Sequence, residues 1–229
     1  MNYKEFLEKA GVSTKDVGII KQAFTHRSYI NENRDAGLSH NERLEFLGDA
    51  VLELAVTDYL YSTYADKTEG EMTAYRSALV NAVTLAEVAE ALNVNDYLLL
   101  SHGESKDTGR ARQYILANTM EAIIGAIYIG ASYEEAKKFI LAHITPRIDE
   151  VLKSGTWIDA KSKFQEKAQD EESITPLYKT MKESGPDQDK RFEVGVYLDK
   201  EMVAKGEGKS KQEAEQDAAR NALAKKGWM

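Results

Sequence analysis

The stretch that decides the fold is NERLEFLGDAVLEL, residues 41–54. At about 100° per residue, Leu44, Leu47 and Val51 fall within an arc of about 60°, which predicts an amphipathic helix with one buried face. The opposite side of that helix carries, within a similar arc of about 60°, the carboxylates of Glu42, Glu45 and Asp49. Acids this close together repel one another unless a cation lies among them.

A second stretch, LANTMEAIIGAIY at residues 116–128, follows the same design. Asn118 and Glu121 project together, and Gly125 continues that edge, while apolar residues occupy the other side. If the polar edges of the two helices converge, carboxylate and amide oxygens would form a cage suited to a hard cation such as Mg²⁺. The expected ligands are Glu45, Asp49, Asn118 and Glu121.

Two interpretations of these acids remain open on the pattern alone. Charged residues on an amphipathic helix most often form a solvated face. However, Gly48 and Gly125 each cost about 1 kcal/mol relative to Ala inside a helix, so we expect something to approach the backbone closely at this edge.

Composition limits the classes of protein that fit this chain. Its 229 residues predict one larger and one smaller domain. No apolar run approaches the roughly 18 residues that span a bilayer, so a membrane role is not expected. The chain has no Cys, and its first residues lack the apolar core of a signal peptide, which together favour a cytoplasmic location.

The net charge of −8 argues against a protein that coats nucleic acid, and its distribution is uneven. Residues 1–155 hold 16 Lys and Arg against 23 Asp and Glu, whereas residues 156–229 hold 14 against 15. Any contact with a polyanion must therefore come from local basic patches.

Hydrophobic periodicity divides the chain into two parts. The first is helical nearly throughout, with apolar residues at three-and-four spacing and no convincing strand. The predicted helices of this part are 42–64, 71–92, 113–130 and 133–152. In the second part, RFEVGVYL alternates and EMVAKGEG resembles its hairpin partner, between two helical segments. We therefore predict an all-α domain at 1–153, a linker at 154–157 and a small α+β domain at 158–229.

The motifs together carry a family resemblance. HNERLEFLGDAVLEL lies between AFTHRSYINEN and EGEMTAYRSALVN, and GRARQYILANTMEAIIGAIY and the C-terminal module follow in the same order. Over almost its whole length the chain resembles ribonuclease III, an endonuclease that cuts double-stranded RNA. The resemblance implies an all-α nuclease domain that forms a homodimer and uses Mg²⁺, with Mn²⁺ able to substitute. It also implies an α-β-β-β-α double-stranded RNA-binding domain after it.

The resemblance assigns roles to individual residues. It makes Glu45, Asp49 and Glu121 the principal metal-linked acids, and it places Glu42 and Glu69 among further acids linked to cleavage. Phe46 matches an aromatic residue that inserts into the partner subunit, although a plain core phenylalanine is the alternative. Because it has no side chain, Gly48 is then expected to leave space at the edge where metal and RNA approach.

Several positions depart from the family pattern. Asn118 stands where Asp is usual, and an amide oxygen can ligate Mg²⁺ but brings no negative charge. We therefore expect weaker metal affinity with activity retained. Tyr75 and Tyr114 replace the usual Leu and Ser, and Gly130 replaces a common Asp, all outside the proposed ligands.

The C-terminal module offers three candidate contacts with RNA. Lys209 and Lys211 precede or begin the last helix, whose N-terminal N–H groups and positive dipole end favour phosphate. Gln165 and Glu166 could hydrogen-bond 2′-hydroxyls in the shallow minor groove of A-form RNA. The loop containing Gln188, where the resemblance leads us to expect His, would reach a second minor groove.

The expected function is Mg²⁺-dependent hydrolysis of double-stranded RNA. The resemblance implies 5′-phosphate and 3′-hydroxyl ends, short 3′ overhangs, and ribosomal and other structured RNA precursors as substrates. One alternative is a dimeric RNA-binding regulator that does not cleave, favoured only by Asn118. A DNA nuclease is opposed by the C-terminal module, which depends on A-form geometry and 2′-hydroxyls.

Overall fold

The chain folds into two units, Met1–Trp157 and Ile158–Met229. The computed structural model describes residues 1–14, 16–106, 108–154, 160–186 and 190–228. Of the predicted linker, only the backbone of Ser154 lies among them, at the end of a helix. Within these ranges no helix is both long enough and apolar enough to cross a membrane.

The first unit is built from α-helices, as its periodicity predicts. They are α1 (Tyr3–Lys9), α2 (Val17–Ala23), α3 (Arg27–Glu32), α4 (Glu42–Thr63), α5 (Glu69–Val80), α6 (Ala82–Ala91), α7 (Arg110–Gly130), α8 (Tyr133–His143) and α9 (Ile148–Ser154). The two longest, α4 and α7, pack against each other, and α7 is buried along most of its length. The core of this unit therefore forms around that pair.

Two of the predicted helices are interrupted. The expected helix 71–92 breaks at Asn81, which donates to Ala78 O at 2.9 Å and accepts from the Thr84 N–H at 2.9 Å, so it ends α5 and caps α6. The expected helix 133–152 breaks at a 3₁₀ turn, Thr145–Arg147, which contains Pro146. These breaks replace two long helices with four shorter ones.

The crossing of α4 and α7 explains the glycines inside these helices. A Cβ on Gly48 would lie 1.7 Å from the carbonyl oxygen of Glu121, and a Cβ on Gly125 would lie 2.2 Å from that of Leu44. Both glycines are buried. The expected close approach to these glycines is therefore confirmed, but the group that approaches Gly48 is the backbone of α7 and not metal or RNA.

The second unit has the predicted α-β-β-β-α order. Its elements are α10 (Ala160–Glu172), β1 (Leu177–Ser184), β2 (Arg191–Leu198), β3 (Glu201–Gly208) and α11 (Lys211–Lys226). The strands form an antiparallel sheet in the order β1-β2-β3. Phe164 from α10, Val196 from β2 and Leu223 from α11 meet in a core separate from that of the first unit.

The close crossing predicts a large effect of one added methyl group. Gly48→Ala should lower the free energy of unfolding by about 3 kcal/mol or more, because the methyl group would overlap a backbone carbonyl that cannot move independently. Gly70→Ala in α5 is the control: no atom outside its own turn of the helix lies within 4 Å of its added Cβ, so it should be neutral or slightly stabilising. Urea denaturation measures both, and equal effects would contradict the crossing.

Candidate active site

The start of α4 is fixed by a buried side chain. Asn41 donates its side-chain amide to Ala23 O at 3.0 Å and its backbone N–H to Thr25 O at 3.0 Å. It makes no side-chain cap to the helix it precedes. These hydrogen bonds fix the start of α4, and with it Glu42 and Glu45, beside the turn between α2 and α3.

Glu121 on α7 faces the acids of α4. It is mostly buried, and the loss of hydration, followed by the charges of Asp49 and Glu45, raises the pKa of its carboxyl group to about 7. All of these causes act in the same direction. The edge between α4 and α7 therefore carries more negative charge than its surroundings stabilise.

Glu45 lies in the same group. Burial and then the charge of Glu42 raise the pKa of Glu45, while hydrogen bonding from the Asn118 side chain acts in the opposite direction, and Asp49 raises it further. The amide of Asn118 is thus placed against a carboxylate. The predicted convergence of the two polar edges is present in the structure.

The donor atoms are of the type that a divalent cation prefers, but the side chains are not arranged as a coordination site. Among the described residues, no Lys, Arg or His side chain forms an ion pair with Glu45, Asp49 or Glu121. Carboxylate and amide oxygens without a cationic partner suit a hard metal ion. Within the same ranges, however, no three His, Cys, Asp or Glu side chains already form a metal-ligand cluster. The donor residues of the expected cage are therefore near one another, but they do not form a complete coordination site.

Glu42 differs from the other acids because basic side chains lie beside it. Arg27 Nη1 lies 3.3 Å from Glu42 Oε1, and His40 Nδ1 lies 3.7 Å from Oε2. All three side chains are partly exposed, so the pairs contribute little to stability. Sequence reasoning missed Arg27, although it lies within the AFTHRSYINEN stretch that carried the resemblance.

Glu69 is not brought into this group within one chain. It begins α5 and accepts a hydrogen bond from Thr73 Oγ1 at 3.0 Å. It lines a hollow of about 180 Å³ together with Thr57 and Arg76. Since Thr57 is eight residues beyond Asp49 on α4, about 12 Å along the axis, Glu69 lies apart from the other acids.

Phe46 is not a core residue. Its side chain is 81% exposed, the largest exposed fraction among the large hydrophobic residues described. It borders a surface hollow of about 640 Å³ whose lining includes Ile19, Leu47 and Ile129. Leu54 and Tyr61, further along α4, are also exposed. Exposed apolar side chains along one helix are typical of surfaces that bind a partner.

The second unit presents most of the predicted RNA contacts at its surface. Gln165 and Glu166 are exposed and line one open hollow on α10. Lys209 and Lys211 are exposed, and Lys211 Nζ lies 5.8 Å from the ring centre of Phe192. Gln188 lies outside the described residues.

The N-terminus of α11 is less open than expected. Ser210 Oγ accepts from the Glu213 N–H at 3.1 Å, and the Glu213 carboxylate accepts from the Lys209 N–H at 2.8 Å. One of the N–H groups expected to meet phosphate is therefore capped by a side chain. The lysines, and not that N–H group, are left to meet an anion.

Comparison with known proteins decides the family. The profile described as Ribonuclease-III-like matches residues 16–148, and the double-stranded RNA binding motif matches residues 160–226. Ribonuclease 3 of Enterococcus faecalis is 44% identical over 219 residues, covering 96% of this chain and 95% of that protein. The chain belongs to the ribonuclease III family.

Further relatives agree with this assignment. Ribonuclease 3 of Listeria monocytogenes serotype 4a is 42% identical over 221 residues, covering 96% of each chain. The nuclease domain of ribonuclease III from Campylobacter jejuni is 38% identical with a TM-score of 0.57, covering 63% of this chain and 97% of that one. This ribonuclease III chain is therefore an endoribonuclease with a double-stranded RNA-binding motif, as the resemblance implied.

The raised pKa of Glu121 predicts a pH-dependent effect of its replacement. Its folded pKa, about 7, exceeds the unfolded value, so its ionisation destabilises the fold increasingly as pH rises from about 4.5 through 7. In EDTA, Glu121→Gln should therefore stabilise the protein by about 1–2 kcal/mol more at pH 8 than at pH 5.5, allowing for partial exposure. Urea denaturation at both pH values measures this, with exposed Glu87→Gln as the control. A gain that does not grow with pH would contradict it.

Proposed function

We propose that this chain is a Mg²⁺-dependent endoribonuclease that hydrolyses phosphodiester bonds in double-stranded RNA. The observation that supports the proposal is the unpaired negative charge where α4 meets α7, of which the raised pKa of Glu121 is the clearest sign. A divalent cation would offset that charge, and this is the reason for proposing that the reaction takes place at this edge.

The side chains at the edge divide into two roles. Glu45, Asp49, Asn118 and Glu121 would hold the cation, which when bound supplies an activated water and neutralises charge at the leaving oxygen. Mn²⁺, which accepts the same oxygen donors, would substitute for it. Arg27 and His40 lie beside the Glu42 carboxylate, so Glu42 does not need the divalent cation as a partner. The expected products carry 5′-phosphates and 3′-hydroxyls.

The apolar stripe on α4 supports a homodimer. Phe46 is exposed beside a hollow that is lined in part by Ile19, Leu47 and Ile129, and a second copy of this chain would offer both features in return. A dimer would present two sites to one duplex, one for each strand, and short 3′ overhangs would follow from the offset between the two cuts.

The second unit would supply much of the affinity for RNA. Its exposed Lys209, Lys211, Gln165 and Glu166 suit phosphates and 2′-hydroxyls of A-form RNA, and such domains recognise shape more than sequence. Structured precursors, including those of ribosomal RNA, are the substrates that this recognition favours.

The test is incubation of the full-length protein with a long RNA duplex, a DNA duplex of the same sequence, and single-stranded RNA. Each substrate is incubated with Mg²⁺ and with EDTA. The proposal predicts cleavage of the RNA duplex alone, only with Mg²⁺, to ends that a phosphatase must treat before a kinase can label them. Binding without cleavage in Mg²⁺ would favour the regulator, and cleavage of the DNA duplex would contradict the substrate assignment.

Asn118 predicts a specific effect on metal dependence. Asn118→Asp should lower the Mg²⁺ concentration for half-maximal cleavage and enlarge the rise in melting temperature on adding Mg²⁺, because it adds a charged oxygen. In EDTA the same variant should melt at a lower temperature, since a carboxylate replaces the amide beside Glu45. Asn95→Asp, at an exposed position, is the matched control. An unchanged Mg²⁺ concentration for half-maximal cleavage would contradict this prediction.

Phe46 predicts the oligomeric state. Phe46→Glu should weaken self-association by at least about 30-fold, because it places a charge in a desolvated apolar contact. Val83→Glu, at a residue 52% exposed on α6, makes the same chemical change elsewhere and should have no effect. Sedimentation equilibrium over a range of concentrations measures both. A Phe46→Glu protein that stays dimeric would show that this surface is not the interface.

A further inference from the structure

One departure from the family pattern lies beside the proposed site. Tyr114, where Ser is usual in the family, is 48% exposed near the start of α7. The Arg110 guanidinium carbon lies 5.7 Å from the centre of its ring, and Arg110 Nη2 donates to the Tyr114 hydroxyl at 3.3 Å. The two side chains therefore form an exposed, hydrogen-bonded pair, four residues apart on one helix.

This pair lies in line with the proposed metal donors along α7. At about 100° per residue, positions 110, 114, 118, 121 and 125 of α7 fall within an arc of about 80°. Arg110 and Tyr114 are thus on the edge that carries Asn118 and Glu121. Along the axis Tyr114 lies about 6 Å from Asn118 and about 10 Å from Glu121.

We propose that Arg110 binds a backbone phosphate of the RNA strand being cut, a few nucleotides from the scissile bond, and that Tyr114 is the residue that positions it. This inference rests on the proposed function and adds a substrate contact to it. The acids of the site belong to α4 and to the middle of α7, so a cation at the start of α7 extends the same edge with the opposite charge.

The chemistry of the pair favours phosphate over a nucleobase or a protein. In a duplex the bases are paired and stacked, so the groups exposed to an edge of this kind are phosphates and 2′-hydroxyls. A guanidinium presents a planar fork of donors that matches phosphate oxygens. Contact with the Tyr114 ring and hydroxyl limits the orientations of that fork, so less freedom is lost when RNA binds.

The first unit, which contains Arg110 and Tyr114, has a net negative charge. A single positively charged side chain there should therefore have a large effect on RNA binding. With 23 Asp and Glu against 16 Lys and Arg in residues 1–155, this part of the chain repels RNA at long range. A phosphate contact near the acids would offset the repulsion where the strand must come closest.

The experiment measures binding and cleavage separately with the full-length protein. The probe is one short RNA duplex, and the variants are Arg110→Ala, Tyr114→Ser, Tyr114→Phe, their Ala/Ser double variant, and Lys138→Gln as a control for loss of one positive charge from an exposed position. Affinity is measured in EDTA across a salt series, and steady-state cleavage is measured with Mg²⁺.

The proposal predicts that Arg110→Ala reduces the slope of log affinity against log salt by about 1, while Lys138→Gln leaves it unchanged. Tyr114→Ser should raise KM about threefold to tenfold with kcat retained, and Tyr114→Phe, which keeps the ring, should restore most of the loss. The double variant should be no worse than Arg110→Ala, because Tyr114 acts through Arg110.

Two outcomes would overturn the proposal: a salt slope for Arg110→Ala equal to that of the native protein, or additive losses in the double variant. Because the salt series needs no cleavage, it judges the Arg110 contact even if the native protein proves to bind RNA without cutting it. Failure of the proposed function and failure of this contact are therefore distinguished.

Discussion

The structure of the nuclease unit depends on the contact between two helix backbones. Gly48 and Gly125 let α4 and α7 approach until a methyl group at position 48 would lie 1.7 Å from the Glu121 carbonyl oxygen. No other residue type lacks the Cβ that this spacing excludes. The close approach brings the polar edges of both helices together, and it is the reason that acids from α4 lie near acids from α7.

The electrostatic consequence of that approach is the basis of the proposed activity. Crowded carboxylates are tolerated when something offsets their charge, and of the acids at this edge only Glu42 has a basic side chain at ion-pair distance among the described residues. Asn118 makes the group one unit less negative than the usual aspartate would. We therefore expect this chain to have a lower metal affinity and less repulsion among its acids. The second unit adds RNA binding without sharing a core with the first.

Much of this could be predicted from the sequence, because periodicity reports which face of an element is buried. The all-α unit, the α-β-β-β-α module and the facing acids Glu45 and Glu121 follow from spacing and from the family motifs. The role of Gly48 could not be predicted correctly, since a sequence shows that the backbone is accessible but not what approaches it. The position of Glu69 likewise depends on tertiary packing, and so does the choice between a partner contact and a core position for Phe46. The break at Asn81 depends on local hydrogen bonds that compete with the helix.

The central claim is that α4 and α7 together hold a divalent cation. An anomalous difference map from crystals of this protein soaked in Mn²⁺ tests it most directly, because Mn²⁺ takes the same oxygen ligands as Mg²⁺ and scatters anomalously. We expect a peak at coordinating distance from oxygens of Glu45, Asp49 and Glu121, with the Asn118 amide oxygen beside it. A peak at another place, or none at this edge in fully soaked crystals, would contradict the claim.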